Sequence, residues 1–126
     1  SKIINLHTSF LPWNKGADPN FWSWLDNTPK GVTIHHIDEG VDTGDIIFQE
    51  EIEFLSPDQE TLASTYQFLQ LRMQELFKKV WPIIKEGNAP RTKQVGIGTK
   101  HKLKDKEAFI HLLAEGNETL VTKIKR

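Results

Sequence analysis

At 126 residues the chain is one domain's worth, able to bury roughly two thirds of its unfolded surface, and a multidomain assembly is excluded. Sixteen Lys and Arg against seventeen Asp and Glu leave a net charge of −1, so no general field exists to hold a nucleic-acid backbone. The absence of cysteine removes disulfides, thiolate metal sites and a thiol nucleophile together, leaving His, Asp, Asn and hydroxyls to carry any chemistry.

Ile3 and Ile4, followed by Asn5, Leu6 and His7, read as a short buried strand, because consecutive β-branched residues suit a sheet covered on both faces. The chain opens at Ser1 almost inside this strand. We therefore expect a piece of something longer, or a first strand tied into a sheet supplied by itself or a partner. Ser9 to Ala17, with Pro12, Asn14 and Gly16, is a loop by composition. Asp18 before Pro19 predicts an N-cap and first turn, and Phe21, Trp22, Trp24 and Leu25 a short aromatic helix that stops before Pro29. Gly31 to Ile37 is a second strand on which His35 and His36 face opposite sides. An acidic turn, Asp38 to Gly44, leads into a third strand, Ile46 to Phe54, so the pair makes a long β-hairpin.

Ser56 and Asp58 around Pro57 offer starts for a long amphipathic helix, marked by Leu62, Tyr66, Leu69, Met73, Leu76, Val80 and Ile84 at three- and four-residue spacing. Pro82 predicts a kink or break near Trp81. Asn88 to Lys100 reads as loop or ragged edge, Asp105 as the cap of a last helix over 106–114, and Lys123 to Arg126 as a solvated basic tail. Lys100, His101, Lys102, Lys104 and Lys106 could hold a substrate phosphate, but an exposed basic face explains them as well. No apolar run approaches the ~18 residues of a membrane span and no leader pattern is present, so we expect a cytoplasmic protein with no membrane partner.

Chemistry concentrates at Asn5 and His7, two apart and so on one face of an extended segment, and at Asp42 in the acidic turn. An amide can donate to an oxygen that becomes negative during acyl transfer, an imidazole can move a proton, and a carboxylate can hold the imidazolium. The spacing alone also fits satisfied structural residues. No metal is expected: adjacent His35 and His36 cannot easily share one ion. Trp22 and Trp24 read as core on a short helix, and Trp13, in the loop after His7, as the better platform for a ligand.

The string Asn5-Leu6-His7-Thr8-Ser9-Phe10-Leu11-Pro12 with Gly16, then Gly31-Val32-Thr33-Ile34-His35, then Asp38-Glu39-Gly40-Val41-Asp42-Thr43-Gly44, closely resembles the formyltetrahydrofolate-dependent formyltransferase family. Glycinamide ribonucleotide, methionyl-tRNA and sugar N-formyltransferases belong to it. The resemblance implies that Asn5, His7 and Asp42 are catalytic, and that Asp38, Glu39, Gly40 and Val41 border the folate. Ser9, Trp13, Gly16 and His35 are placed at the acceptor. It implies formyl transfer from 10-formyltetrahydrofolate, as co-substrate and without a metal, to a small-molecule amine. Asn5 and a protonated His7 would stabilise the oxyanion while Asp42 keeps His7 charged, so the His7 pKa is expected to rise. The ending Gly98 to Asp105 looks like the tail of enzymes acting on nucleotide-linked amino sugars.

By the same resemblance the expected fold is α/β: the carboxy-terminal half of a doubly wound sheet, with the amino-terminal Rossmann half absent because only four residues precede Asn5. We divide the chain into a catalytic segment, 1–87, and an extension packed on it, 88–126. A formyltetrahydrofolate hydrolase would use the same three residues with water as acceptor. An inactive remnant acting as an oligomerisation or binding module is the reading from a different class. Either way an open strand edge predicts a homo-oligomer, or a partner that completes the sheet.

Overall fold

The computed structural model describes residues 3–126. Strand β1, Ile4–His7, is followed by a loop containing the two-residue strand β2, Lys15–Gly16, and by helix α1, Pro19–Leu25. Strands β3, Lys30–His36, and β4, Ile46–Ile52, form the expected hairpin; then come helix α2, Leu62–Lys85, and a two-residue strand β5, Lys100–His101. The main sheet has the order β1-β3-β4, and both pairings are antiparallel. The β3–β4 pairing is the expected hairpin, and β1 adds to it antiparallel. Parallel strands need a long crossover, whereas β3 and β4 are joined by the acidic turn and run antiparallel. Among the described residues the parallel pairing is the short β2–β5 contact.

Register places Asn5 opposite His35 and His7 opposite Thr33. A bulge between Ile34 and His35 breaks the β3–β4 ladder beside the acidic turn, a device that re-aims side chains. Val32 and Ile34 of β3 are fully buried against Leu69, Met73 and Val80 of α2, which lies on the sheet. Tyr66, which the period put on that stripe, is exposed.

The start of α2 is Thr61, not Ser56 or Asp58. Thr61 Oγ1 accepts from the Ser64 N–H at 3.0 Å, and Ser64 Oγ accepts from the Thr61 N–H at 2.8 Å, so the two reciprocally satisfy orphan donors. Pro57–Gln59 makes a single 3-10 turn ahead of it. The helix runs through Pro82 to Lys85 without the expected break. Pro82 and Lys78 are exposed near the end, where water can take the carbonyl that loses its donor.

Asp18 does precede α1, but with φ 52° and no capping bond; its carboxylate accepts from Lys106 Nζ at 2.9 Å instead. The helix expected after Asp105 is a 3-10 helix, Leu103–Leu112, in which Asp105 serves from inside the first turn, accepting from the Lys102 N–H at 2.8 Å; 3-10 turns follow at Gly116–Glu118 and Val121–Lys123. The end of the chain is no solvated tail. Val121 and Ile124 are buried with Phe21, Trp22, Leu25 and Leu62 in a second cluster, and Arg126 pairs with Asp26. Apolar side chains inside a basic stretch decide its fate. No described helix is long and apolar enough to cross a membrane.

Candidate active site

The antiparallel register and the acidic turn bring three separated parts of the chain together. Asp42 sits at φ 57°, a left-handed conformation that Asp tolerates better than bulkier residues. Asp38 braces the turn: its Oδ1 accepts from the Gly40 N–H at 2.9 Å and from Thr43 Oγ1 at 2.6 Å. Those two bonds also hold the exposed Asp38 carboxyl below its ordinary value. The Asp42 carboxylate then meets four groups. Gly16 N–H donates to Oδ2 at 2.8 Å, Asn5 Nδ2 approaches Oδ1 at 3.4 Å, His35 Nε2 lies 3.3 Å from Oδ1, and His7 Nε2 lies 3.7 Å from Oδ2. The His35 contact is a charge pairing out of line for a linear hydrogen bond.

Ring partners fix the protons. His7 Nε2 is 2.8 Å from the Asn14 carbonyl, which can only accept, so Nε2 carries a hydrogen and Nδ1 is the basic nitrogen of the neutral ring. His35 Nδ1 is 2.8 Å from the His36 carbonyl while Nε2 faces Asp42, so both nitrogens look at acceptors and the imidazolium suits the pocket best. The pKa directions agree with this. Burial pushes His7 down, and the Asn14 carbonyl and Asp42 charge do not fully offset it. The expected rise at His7 is thus corrected. Burial also acts against charge on His35, but the facing Asp42 carboxylate, the His36 carbonyl and the Asp38 charge together lift it above the ordinary value. For Asp42, burial works upward and is outweighed by His35, the Gly16 N–H and His7, which leave it below its ordinary value. Asp42 therefore favours the charged form of His35, while burial favours the neutral form of His7 beside them.

The sequence placed Asn5, His7 and Asp42 at one point, and they converge there. Gly16 reaches the same carboxylate through its backbone. Ser9 and His35 are each 2% exposed, so neither opens onto solvent; the Ser9 carbonyl accepts from Thr33 Oγ1 at 2.7 Å. Trp13 is half-buried, and Glu39, Gly40 and Val41 are exposed on the turn with Asp38. Sequence reasoning missed Asn14, Gln94 and Thr99. Asn14 is fully buried at φ 58°, and its Asn-Lys-Gly setting was a signal for a left-handed turn. Among the described residues no group of three His, Cys, Asp or Glu side chains is arranged to hold a metal ion. A surface cavity of about 740 Å³ is lined by Ile4, His36, Trp81, Ile84 and Arg91 among others, and by none of the side chains that meet at Asp42.

Comparison with known proteins adds an independent line. The model of the family described as formyl transferase, that of its amino-terminal domain, matches residues 1–80. The crystal structure of the formyltransferase PseJ from Anoxybacillus kamchatkensis in complex with UDP-4,6-dideoxy-4-formamido-L-AltNAc and tetrahydrofolate is similar at 50% identity and a TM-score of 0.92, over 96% of this chain and 63% of that one. A dTDP-4-amino-4,6-dideoxyglucose formyltransferase of Mycobacterium bovis is 33% identical over 111 residues, 88% of this chain and 47% of the relative. A methionyl-tRNA formyltransferase of Pelotomaculum thermopropionicum is 35% identical over 95 residues, 75% of this chain and 30% of the relative. The chain thus spans less than two thirds of each of these proteins. The expectation of a carboxy-terminal part is corrected, since the strand, hairpin and helix that carry the site fall within the family's amino-terminal domain. A structure half identical along nearly the whole chain and a family model that takes in the converging residues lead to one statement: the chain belongs to the formyl transferase family.

Proposed function

We propose that this chain carries the catalytic segment of an N-formyltransferase that moves a formyl group from 10-formyltetrahydrofolate to the amine of a nucleotide-linked amino sugar. Residues 1–87 would carry the chemistry, and 88–126 would pack on them and hold the site in shape. The observation that carries this reading is the meeting of an exposed amide donor, Asn5, with a buried imidazole, His7, around one carboxylate, Asp42. The sugar acceptor is favoured by the likeness to PseJ, whose structure holds a formamido sugar on UDP together with tetrahydrofolate.

The donor set suits formyl transfer. The amine nitrogen adds to the formyl carbon, whose oxygen becomes negative; one amine proton must leave, and when the bond from that carbon to the folate nitrogen breaks, the departing nitrogen takes up that proton. His7, entering as the neutral ring, takes that proton on the nitrogen not committed to the Asn14 carbonyl. Asp42 at 3.7 Å favours the imidazolium that results. Asn5 has a second amide hydrogen free to donate to the oxygen as it becomes negative. The exposed turn Asp38 to Val41, held rigid by its own carboxylate, would flank the folate, with Trp13 and the Gly16 loop on the acceptor side.

Assay of formyl transfer with UDP- and dTDP-linked amino sugars tests the proposal. Asn5→Ala should lower turnover by about 10² to 10³, the scale of one lost oxyanion donor, with the fold intact. Transfer left unchanged by Asn5→Ala, His7→Ala and Asp42→Asn would overturn the assignment. Formate released at the same rate with and without an amine would move it to the hydrolase.

A further inference from the structure

The loop that offers Asn14 and Gly16 to the site holds little regular structure of its own. It is fastened by a segment more than eighty positions later in the chain. The Asn14 N–H donates to Thr99 Oγ1 at 2.8 Å, and that hydroxyl lies 3.3 Å from Asn14 Oδ1. Thr99 N–H donates to the Pro12 carbonyl at 3.2 Å, Lys15 N–H to the Thr99 carbonyl at 2.9 Å, and Ala17 N–H to the His101 carbonyl at 3.1 Å. The two backbones approach so closely that a Cβ on Gly98 would sit 2.0 Å from the Pro12 oxygen, and one on Gly16 would sit 2.1 Å from the His101 oxygen. Both glycines also have positive φ, 64° and 93°.

The same segment grips the other side of the site. Gln94 Nε2 donates to the Asp42 carbonyl at 2.8 Å and to the Gly44 carbonyl at 2.9 Å. It is anchored in turn, because the His101 ring stacks on buried Trp22 with centroids 3.8 Å apart and planes 9° from parallel. Between its ends it arches outward, leaving Val95 and Ile97 exposed. All of it lies beyond the family-model match at 1–80.

We infer that residues 94–101 form a clasp that fixes the hydrogen-bond partners of His7 and Asp42, with Gln94 and Thr99 as positioning residues for the transfer. The clasp acts through two bonds. The Asn14 carbonyl sets which nitrogen of His7 carries the hydrogen and how the ring is turned, and the Gly16 N–H holds Asp42 Oδ2. Releasing either lets a reacting group drift, and a displacement near 1 Å costs up to about 10² in rate. The predicted effect on turnover rests on the formyltransferase reading; the geometry does not.

Thr99→Val removes the hydroxyl and keeps the shape. Turnover should fall about 10- to 100-fold with KM for both substrates nearly unchanged. In the substrate-free protein, the His7 titration followed by NMR should move to lower pH, because the Asn14 carbonyl is one of the groups that keeps its proton on. Thr99→Ser should restore both. A folded Thr99→Val protein with parental turnover or an unmoved His7 titration overturns the clasp. If Thr99→Val does not fold, Gln94→Met, which deletes the two bonds to the acidic turn, must lower kcat without raising KM, and an unchanged kcat overturns it equally. A shifted His7 titration in a protein whose parent shows no transfer keeps the clasp and sinks the transferase reading instead.

Discussion

At the residue scale, the state of each histidine is set by what its two nitrogens face. His7 and His35 lie beside the same carboxylate with ring centroids 6.5 Å apart, yet their pKa values move in opposite directions. Two charged rings so close would repel, and the carboxylate is nearer His35. We predict by NMR that His35 titrates above 6.5 and His7 below it. The signs for stability follow. His35 contributes stability that is full below pH 6.5 and is lost as pH rises through its higher folded value. His7, buried neutral, makes stability fall as pH drops from 6.5 to its lowered folded value. Asp42 contributes stability present above 3.8 that fades as pH falls through its folded value. Replacing Asp42 by Asn, which tolerates the same left-handed backbone, should bring the His35 titration down; an unmoved His35 would show that the pairing is not what raises it. Asn5, His7 and Asp42 were legible as candidates from a two-residue period and a turn motif, and the string around them, which resembles that of formyltransferases, singled them out. Asn14 and Thr99 were not, since their importance lies in a contact between loops.

At the scale of elements, the hairpin and the long helix were readable because periods of two and of 3.6 survive in the apolar residues of β3 and α2. Their boundaries were less so. Ser56 and Asp58 look like caps, but the reciprocal bonds of Thr61 and Ser64 mark where the backbone donors are satisfied. Thr61→Ala should therefore cost about 1 kcal/mol, seen as a lower urea midpoint with an unchanged slope, and Ser56→Ala should leave the midpoint in place. Of the kink or break expected near Trp81, the break is absent for a local reason, since an exposed last turn can lose one backbone bond to water. Within α2, Leu69 is 1% exposed against Val32 and Ile34, so Leu69→Ala should destabilise by about 2–5 kcal/mol by the same denaturation measurement.

At the scale of the whole molecule, the stretch after Gly87 joins the rest through buried side chains rather than regular elements. Val121 and Ile124 close the cluster around Phe21 and Trp22, and Trp22 carries the His101 stack beneath the clasp. Ending the chain after Leu120 should expose that cluster, raising dye binding to apolar surface and lowering turnover together; a truncated protein with parental melting and no dye binding would refute this link between tail and site. The sequence by itself determined the hairpin and the long helix, because these follow from short-range periodicity and turn chemistry; the α/β character and the roles expected of Asn5, His7 and Asp42 came from the motifs that resemble those of formyltransferases. Only the tertiary structure decided that the Asp42 carboxylate lies nearer His35 than His7, that β1 pairs antiparallel with β3, and that residues 94–101 and the last apolar side chains pack against the elements that carry the candidate site. Those outcomes depend on burial and on contacts between distant segments, and neither quantity is fixed by the pattern of neighbours along a chain.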